Sequence, residues 1–138
     1  MGFFDLFKKK KKTVLTEEQL KMNKLSDLLM EGKLESPYKE IMEYQGEVDN
    51  GGHDQYFFNT ENTGDLKKHM ETLYTILPEK LVENLKSAYR AYLVTEVNDE
   101  GEEYDAAVEV MEGCDDVFYE NEAEINSILE ERASRIEL

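Results

Sequence analysis

Apolar residues recur along this chain at steps of three and four, and the pattern predicts helices from end to end. Leu20, Met22, Leu25, Leu28 and Leu29 mark a first helix. Thr16 and Gln19 have the capping-box spacing that starts it, and Gly32 supplies its stop. Ser36-Pro37 opens a second helix, with Ser36 as cap and Pro37 at a first position where its missing N–H costs nothing. Tyr38, Ile41, Met42 and Gln45 then face inward, until Asn50-Gly51-Gly52 breaks the run. The segment His53–Asn59 is too rich in aromatics for a free loop and reads as a short buried helix, with a loop over Thr60–Gly64. Leu66, Met70, Leu73, Ile76 and Leu77 carry a helix up to Pro78, and Leu81, Leu85, Ala88, Tyr89 and Tyr92 carry the next. After a polar linker over Asn98–Glu103, two more helices are expected, roughly Tyr104–Tyr119 and Glu122–Ile136. No repeat and no β-alternation of useful length interrupts the pattern. The fold class is therefore all-α, a single compact domain of about six to seven helices, and 138 residues suit one core.

Residues 1–15 stand apart from that pattern. Phe3, Phe4, Leu6 and Phe7 precede five lysines, Lys8–Lys12, and this segment is expected to be a flexible basic N-terminal tail attached to a helical domain over 16–138. Its aromatics and lysines would also suit a membrane surface, but a solubilising or disordered terminus, free to fold back on the acidic body, is favoured over membrane contact. Leu6 stands where a myristoylation signal needs Ser or Thr.

Charge sharpens the contrast. The chain carries 32 acidic and 16 basic residues, a net of -16. The tail is positive, so the body is more acidic than the total shows, and the acids gather toward the C-terminus. Such a field disfavours direct binding of nucleic acid by the body and attracts basic proteins at rates that fall with salt. With one cysteine there is no internal disulfide framework, and no apolar run approaches a bilayer span, so a cytoplasmic location is expected.

The acids are also patterned. On a helix from Tyr104 to Glu120, Asp105, Glu109, Glu112, Asp116 and Glu120 fall on one stripe, with Ala107, Val110, Met111, Cys114, Val117 and Phe118 opposite. Carboxylates at such spacings are comparable to phosphates along a DNA strand, so a basic groove-binding protein could accept the stripe. Like charges at these steps weaken an isolated helix by a few tenths of a kcal/mol per pair. A solvated face is the ordinary reading of such a pattern, and the repeated cost adds weight to a functional one.

The residues Glu47-Val48-Asp49-Asn50-Gly51-Gly52-His53-Asp54-Gln55-Tyr56-Phe57-Phe58-Asn59 resemble the signature of the DNA-mimic protein family, a bacterial domain. The helices that follow, including Asp115-Asp116-Val117-Phe118-Tyr119, extend the resemblance over residues 16–138 and leave the tail outside it. The resemblance implies an all-helical fold and a negative surface that occupies the DNA-binding face of a transcription regulator. His53 departs from the pattern, which has an aromatic such as Phe there. Within the signature, Asn50, Gly51 and Gly52 suit a turn, Tyr56, Phe57 and Phe58 a core, and Gln55 and Asn59 the capping of helix ends.

Candidate catalytic groups do not assemble. His53 and His69 are too few for a metal site of the phosphohydrolase kind, and both suit packing or the surface. Cys114 lies among Glu112, Asp115 and Asp116, which disfavour a thiolate. Asn98–Glu103 lacks the ligand order of a calcium loop. The expectation is thus a protein without catalytic residues, metal or cofactor that offers a carboxylate array to a basic partner such as a DNA-binding transcription regulator. The alternative is a small interaction or immunity-type protein that neutralises a toxin or enzyme through its aromatic surface.

Overall fold

The computed structural model describes residues 15–138 and, among them, six helices and no strand. They are α1 (Glu17–Met30), α2 (Tyr38–Thr63), α3 (Leu66–Tyr74), α4 (Glu79–Val97), α5 (Glu102–Glu120) and α6 (Glu122–Ser134). The all-α expectation stands; the tail expected over residues 1–15 lies, Leu15 apart, outside the described residues.

Helix ends follow the local chemistry. The Thr16 hydroxyl accepts from the Gln19 N–H at 3.1 Å while Gln19 Oε1 accepts from the Thr16 N–H at 2.8 Å, closing the capping box at the start of α1. At the other end Gly32 sits at φ +72, and Lys33 N–H reaches back to the Leu28 carbonyl at 2.8 Å, so the carbonyls that the helix leaves open are satisfied. Ser36 and Pro37 correct the expectation for α2. Pro37 stands before the first helical residue, and the Ser36 hydroxyl donates to the Glu40 carboxylate at 2.9 Å rather than capping the backbone.

The Asn50–Gly52 break is a kink inside one long helix. Gly51 leaves the helical region (φ -156, ψ 17) and Gly52 takes φ 79, ψ -179, after which the helix resumes. It resumes for longer than expected: Thr60–Thr63 is helical, and a loop there is overturned. That turn looked like a loop because its outer residues, Glu61 and Asn62, are exposed and polar. Thr63 nonetheless donates to the Asn59 carbonyl at 2.8 Å, and Gly64 N–H to the Thr60 carbonyl at 3.0 Å.

The core forms around α2. Tyr44, Tyr56, Phe57 and Phe118 are fully buried, with the Tyr44 ring 4.9 Å from that of Tyr56 and 5.4 Å from that of Phe118, edge-on as aromatic quadrupoles prefer. α4 and α5 lie together as a hairpin, joined inside by Asn84 Nδ2 donating to the Cys114 carbonyl at 2.8 Å. α1 packs on α6, where Lys21 Nζ donates to the Ser134 carbonyl at 3.1 Å. Arg132 on α6 clamps Glu35 through Nε at 2.5 Å and Nη2 at 3.0 Å, and this bidentate pair holds the Glu35 carboxyl at about 2.

Candidate acidic interface

α5 begins at Gly101 (φ 102), whose conformation suits glycine and leads the linker into the helix without a side-chain cap. Glu102, Glu103 and Asp105 in the first turn sit where the helix dipole favours negative charge, whereas Asp116 and Glu120 sit toward the end where it does not. All five stripe residues, Asp105, Glu109, Glu112, Asp116 and Glu120, are exposed. None forms an ion pair with a cation among the described residues. With a rise of about 1.5 Å per residue the stripe runs for roughly 22 Å, a charge about every 5.6 Å, against one per 3.4 Å along a single DNA strand.

Opposite the stripe, Ala107, Met111, Cys114 and Phe118 are buried as expected. Burial, and then Asp115, push the Cys114 thiol up. Val110 is a correction: it is 48% exposed, because it lies between the core face and the stripe and not on the core face itself.

Asp115 fixes how α5 is turned. Its Oδ1 accepts from the His53 backbone N–H at 2.8 Å and from His53 Nδ1 at 2.6 Å, while His53 Nε2 faces the Tyr44 hydroxyl at 2.6 Å. His53 is fully buried. A Cβ on Gly52 would meet Asp115 Oδ2 at 2.5 Å, so the bare glycine is what lets the carboxylate approach the kink. His69 belongs to a separate cluster, with Nδ1 2.6 Å from the Tyr56 hydroxyl and Nε2 3.2 Å from Glu43 Oε1.

The signature residues divide around this kink. Asn50 and Gly51 are exposed, Gly52 is buried, and Tyr56 and Phe57 are in the core. Gln55 and Asn59 do not cap helix ends: both donate to Glu47 Oε2, at 3.1 and 2.8 Å, and tie the two halves of α2 across the bend. Phe58 overturns the expectation that the whole block is packed beneath its neighbours. It is 59% exposed, since it falls on the outer face of the resumed helix.

Phe58 borders a cleft of about 460 Å³ between α2, α4 and α5, whose walls include Asp54, Glu96, Tyr104, Glu112 and Asp115. Burial, then Glu96 and Asp115, raise the Asp54 carboxyl above its usual range, the mark of crowded negative charge. Through Glu112 the cleft continues the stripe, so the acidic surface is wider than one helix. Sequence periodicity finds only the stripe, because Asp54 and Glu96 join it through tertiary packing.

A family model described as DMP19-like protein matches residues 40–135. We find no match to the chain among curated proteins or among solved structures.

Proposed function

The chain belongs to the DMP19-like protein family, a DNA-mimic family whose model spans α2 to α6, and from that premise we propose that it is a non-catalytic acidic binding protein. It presents the carboxylates of α5 to a basic, DNA-binding protein in place of DNA. The observation that carries this reading is the stripe itself: five exposed carboxylates on one face of a helix whose opposite face is locked in the core, with no cation set against them among the described residues.

The partner's contribution is a row of Arg or Lys side chains. The cleft beside the stripe extends the match, because an arginine entering it would meet Glu112 and Asp54 and could stack on Phe58. The alternative, neutralisation of a toxin or enzyme through an aromatic surface, has less to work with, since Phe58 alone of Tyr56, Phe57 and Phe58 reaches solvent.

Replacing Asp105 and Asp116 with Asn, and Glu109 and Glu112 with Gln, removes charge and keeps size. Helicity should be retained, while affinity for the basic partner falls and its salt dependence flattens. Duplex DNA should compete with the unmodified protein for that partner. A ternary complex with DNA, or binding indifferent to salt and to the neutralised stripe, would refute mimicry.

A further inference from the structure

The outer side of the α4–α5 hairpin carries a groove of about 460 Å³ with Ala91, Val94, Ala106 and Val110 on its walls and only Arg90 and Glu103 charged. In so acidic a body an apolar groove stands out, and it is accompanied by exposed Leu93 (46%) and Val97 (81%) on α4. On a helix of 3.6 residues per turn, Ala106 stands about 80° and Val110 about 120° around from the middle of the Asp105–Glu120 stripe. Groove and stripe therefore adjoin along the Ala106 edge, apolar on one side and anionic on the other.

We propose that this surface is the docking site for the chain's own N-terminal segment, with Phe3, Phe4, Leu6 and Phe7 in the groove and Lys8–Lys12 over the carboxylates of α5. The complementarity is in both chemistry and number: five consecutive lysines face five stripe carboxylates, and the apolar residues lie on one side of the lysines as the groove lies on one side of the stripe. A second copy of the body is a poor occupant, because facing grooves would bring two acidic stripes together.

The bond from Lys21 to Ser134 sets the start of α1 at the far end of α6, a helix of about 20 Å at 1.5 Å per residue. Phe7 stands eight residues before Leu15, and that stretch spans about 26–29 Å when extended, at 3.3–3.6 Å each, so it outruns α6 toward α5. A nearer cleft, between α1 and α6, is lined by Glu17, Glu18 and Glu130 but offers only Met22 and Ala133 as apolar walls, too little for three phenylalanines. In this arrangement the tail occupies the surface that a basic partner needs, and the partner must displace it.

Zero-length carbodiimide cross-linking of the full chain, read by mass spectrometry, tests the contact without any partner, so it can fail while mimicry stands, and the reverse. Lys8–Lys12 should link to Asp105, Glu109, Glu112, Asp116 or Glu120 within one chain, and the links should vanish at 0.5 M salt, on the order of a 4 Å screening length. They should also weaken when Phe3, Phe4 and Phe7 are changed to Ser with the lysines kept. Backbone amide shifts of Ala91, Val94, Ala106 and Val110 should differ between the full chain and one lacking residues 2–12. If the tail occupies the surface in roughly two-thirds of molecules, its removal should tighten binding of a pentalysine probe about threefold. Links confined to Glu17, Glu18 and Glu130, links only between two chains, or groove amides unmoved by truncation would overturn the proposal. So would pelleting of the full chain on anionic vesicles at physiological salt with those amides unmoved, which would assign the tail to a lipid surface.

Discussion

Replacing Gly52 with Ala should cost this protein more than the same change one residue earlier. At φ 79, ψ -179, Gly52 occupies a region that L-residues enter only at about 1–3 kcal/mol. The added Cβ would also stand 2.5 Å from Asp115 Oδ2 and 3.2 Å from its Cγ, so the carboxylate must retreat from His53. Losing a hydrogen bond to a charged group costs roughly 1.5–3 kcal/mol. Together Gly52→Ala should lose about 3–5 kcal/mol, a large part of the roughly 5–15 kcal/mol that holds a domain folded. Gly51 is exposed and its φ is negative, and its new Cβ would stand 2.0 Å from Gln55 Oε1 and 2.9 Å from Gln55 Cβ, so Gln55 must shift off Glu47 and Gly51→Ala should cost about 1.5–3 kcal/mol, the worth of one hydrogen bond to a charged group. Urea denaturation of both variants measures the difference directly, with an unchanged denaturant slope confirming two-state behaviour. Repeating Gly52→Ala in an Asp115→Ala background should leave only the backbone cost, a coupling of about 1.5–3 kcal/mol. Equal losses for the two glycines, or no coupling to Asp115, would refute the account of the kink.

Three further perturbations probe neighbouring features. The Asp49 carboxyl is pushed up to about 6, chiefly by partial burial and then by Glu122. Because the folded state holds that proton more tightly than an unfolded carboxyl near 3.8, stability should fall as pH rises from about 4 through 6. Glu122→Gln should flatten that slope, by less than about 1 kcal/mol at pH 7 given the exposure of Asp49, and an unchanged slope in a pH series of denaturation curves would count against the pairing. Glu47→Ala removes the acceptor shared by Gln55 and Asn59 and should cost about 1–2 kcal/mol in thermal or urea unfolding, with no change in helix content. Phe58→Ser should change stability by less than about 0.5 kcal/mol, whereas Phe57→Ala should cost about 3–5 kcal/mol; similar losses for the two would mean that Phe58 is not the exposed member of the pair.

The helices were legible in the sequence wherever periodicity met an end signal. Thr16, Gln19 and Gly32 bounded α1 because capping is local chemistry that a neighbouring turn cannot change. The turn after Asn59 was misread because local polarity gives no sign that Asn59 and Thr60 are half-buried in the tertiary structure. The stripe of α5 was readable for the same reason as the caps, since all five of its members belong to one helix. Asp54, Glu96 and Asp115 were not, because what brings them together is the packing of α2, α4 and α5 at the kink. Nothing in the order of residues pairs His53 with Asp115, 62 positions away.

That distant pair has a mechanical meaning. Asp115 works as a key in a slot: slipping α5 by one residue would turn its surface by about 100° and pull the key from the backbone of His53. The helix cannot roll to follow an incoming surface, so the carboxylates behave as teeth of a rigid comb whose pitch is set before any encounter. Adaptation then falls to the long, rotatable lysine and arginine side chains of whatever meets the comb, and the entropy lost on association should come mainly from that side.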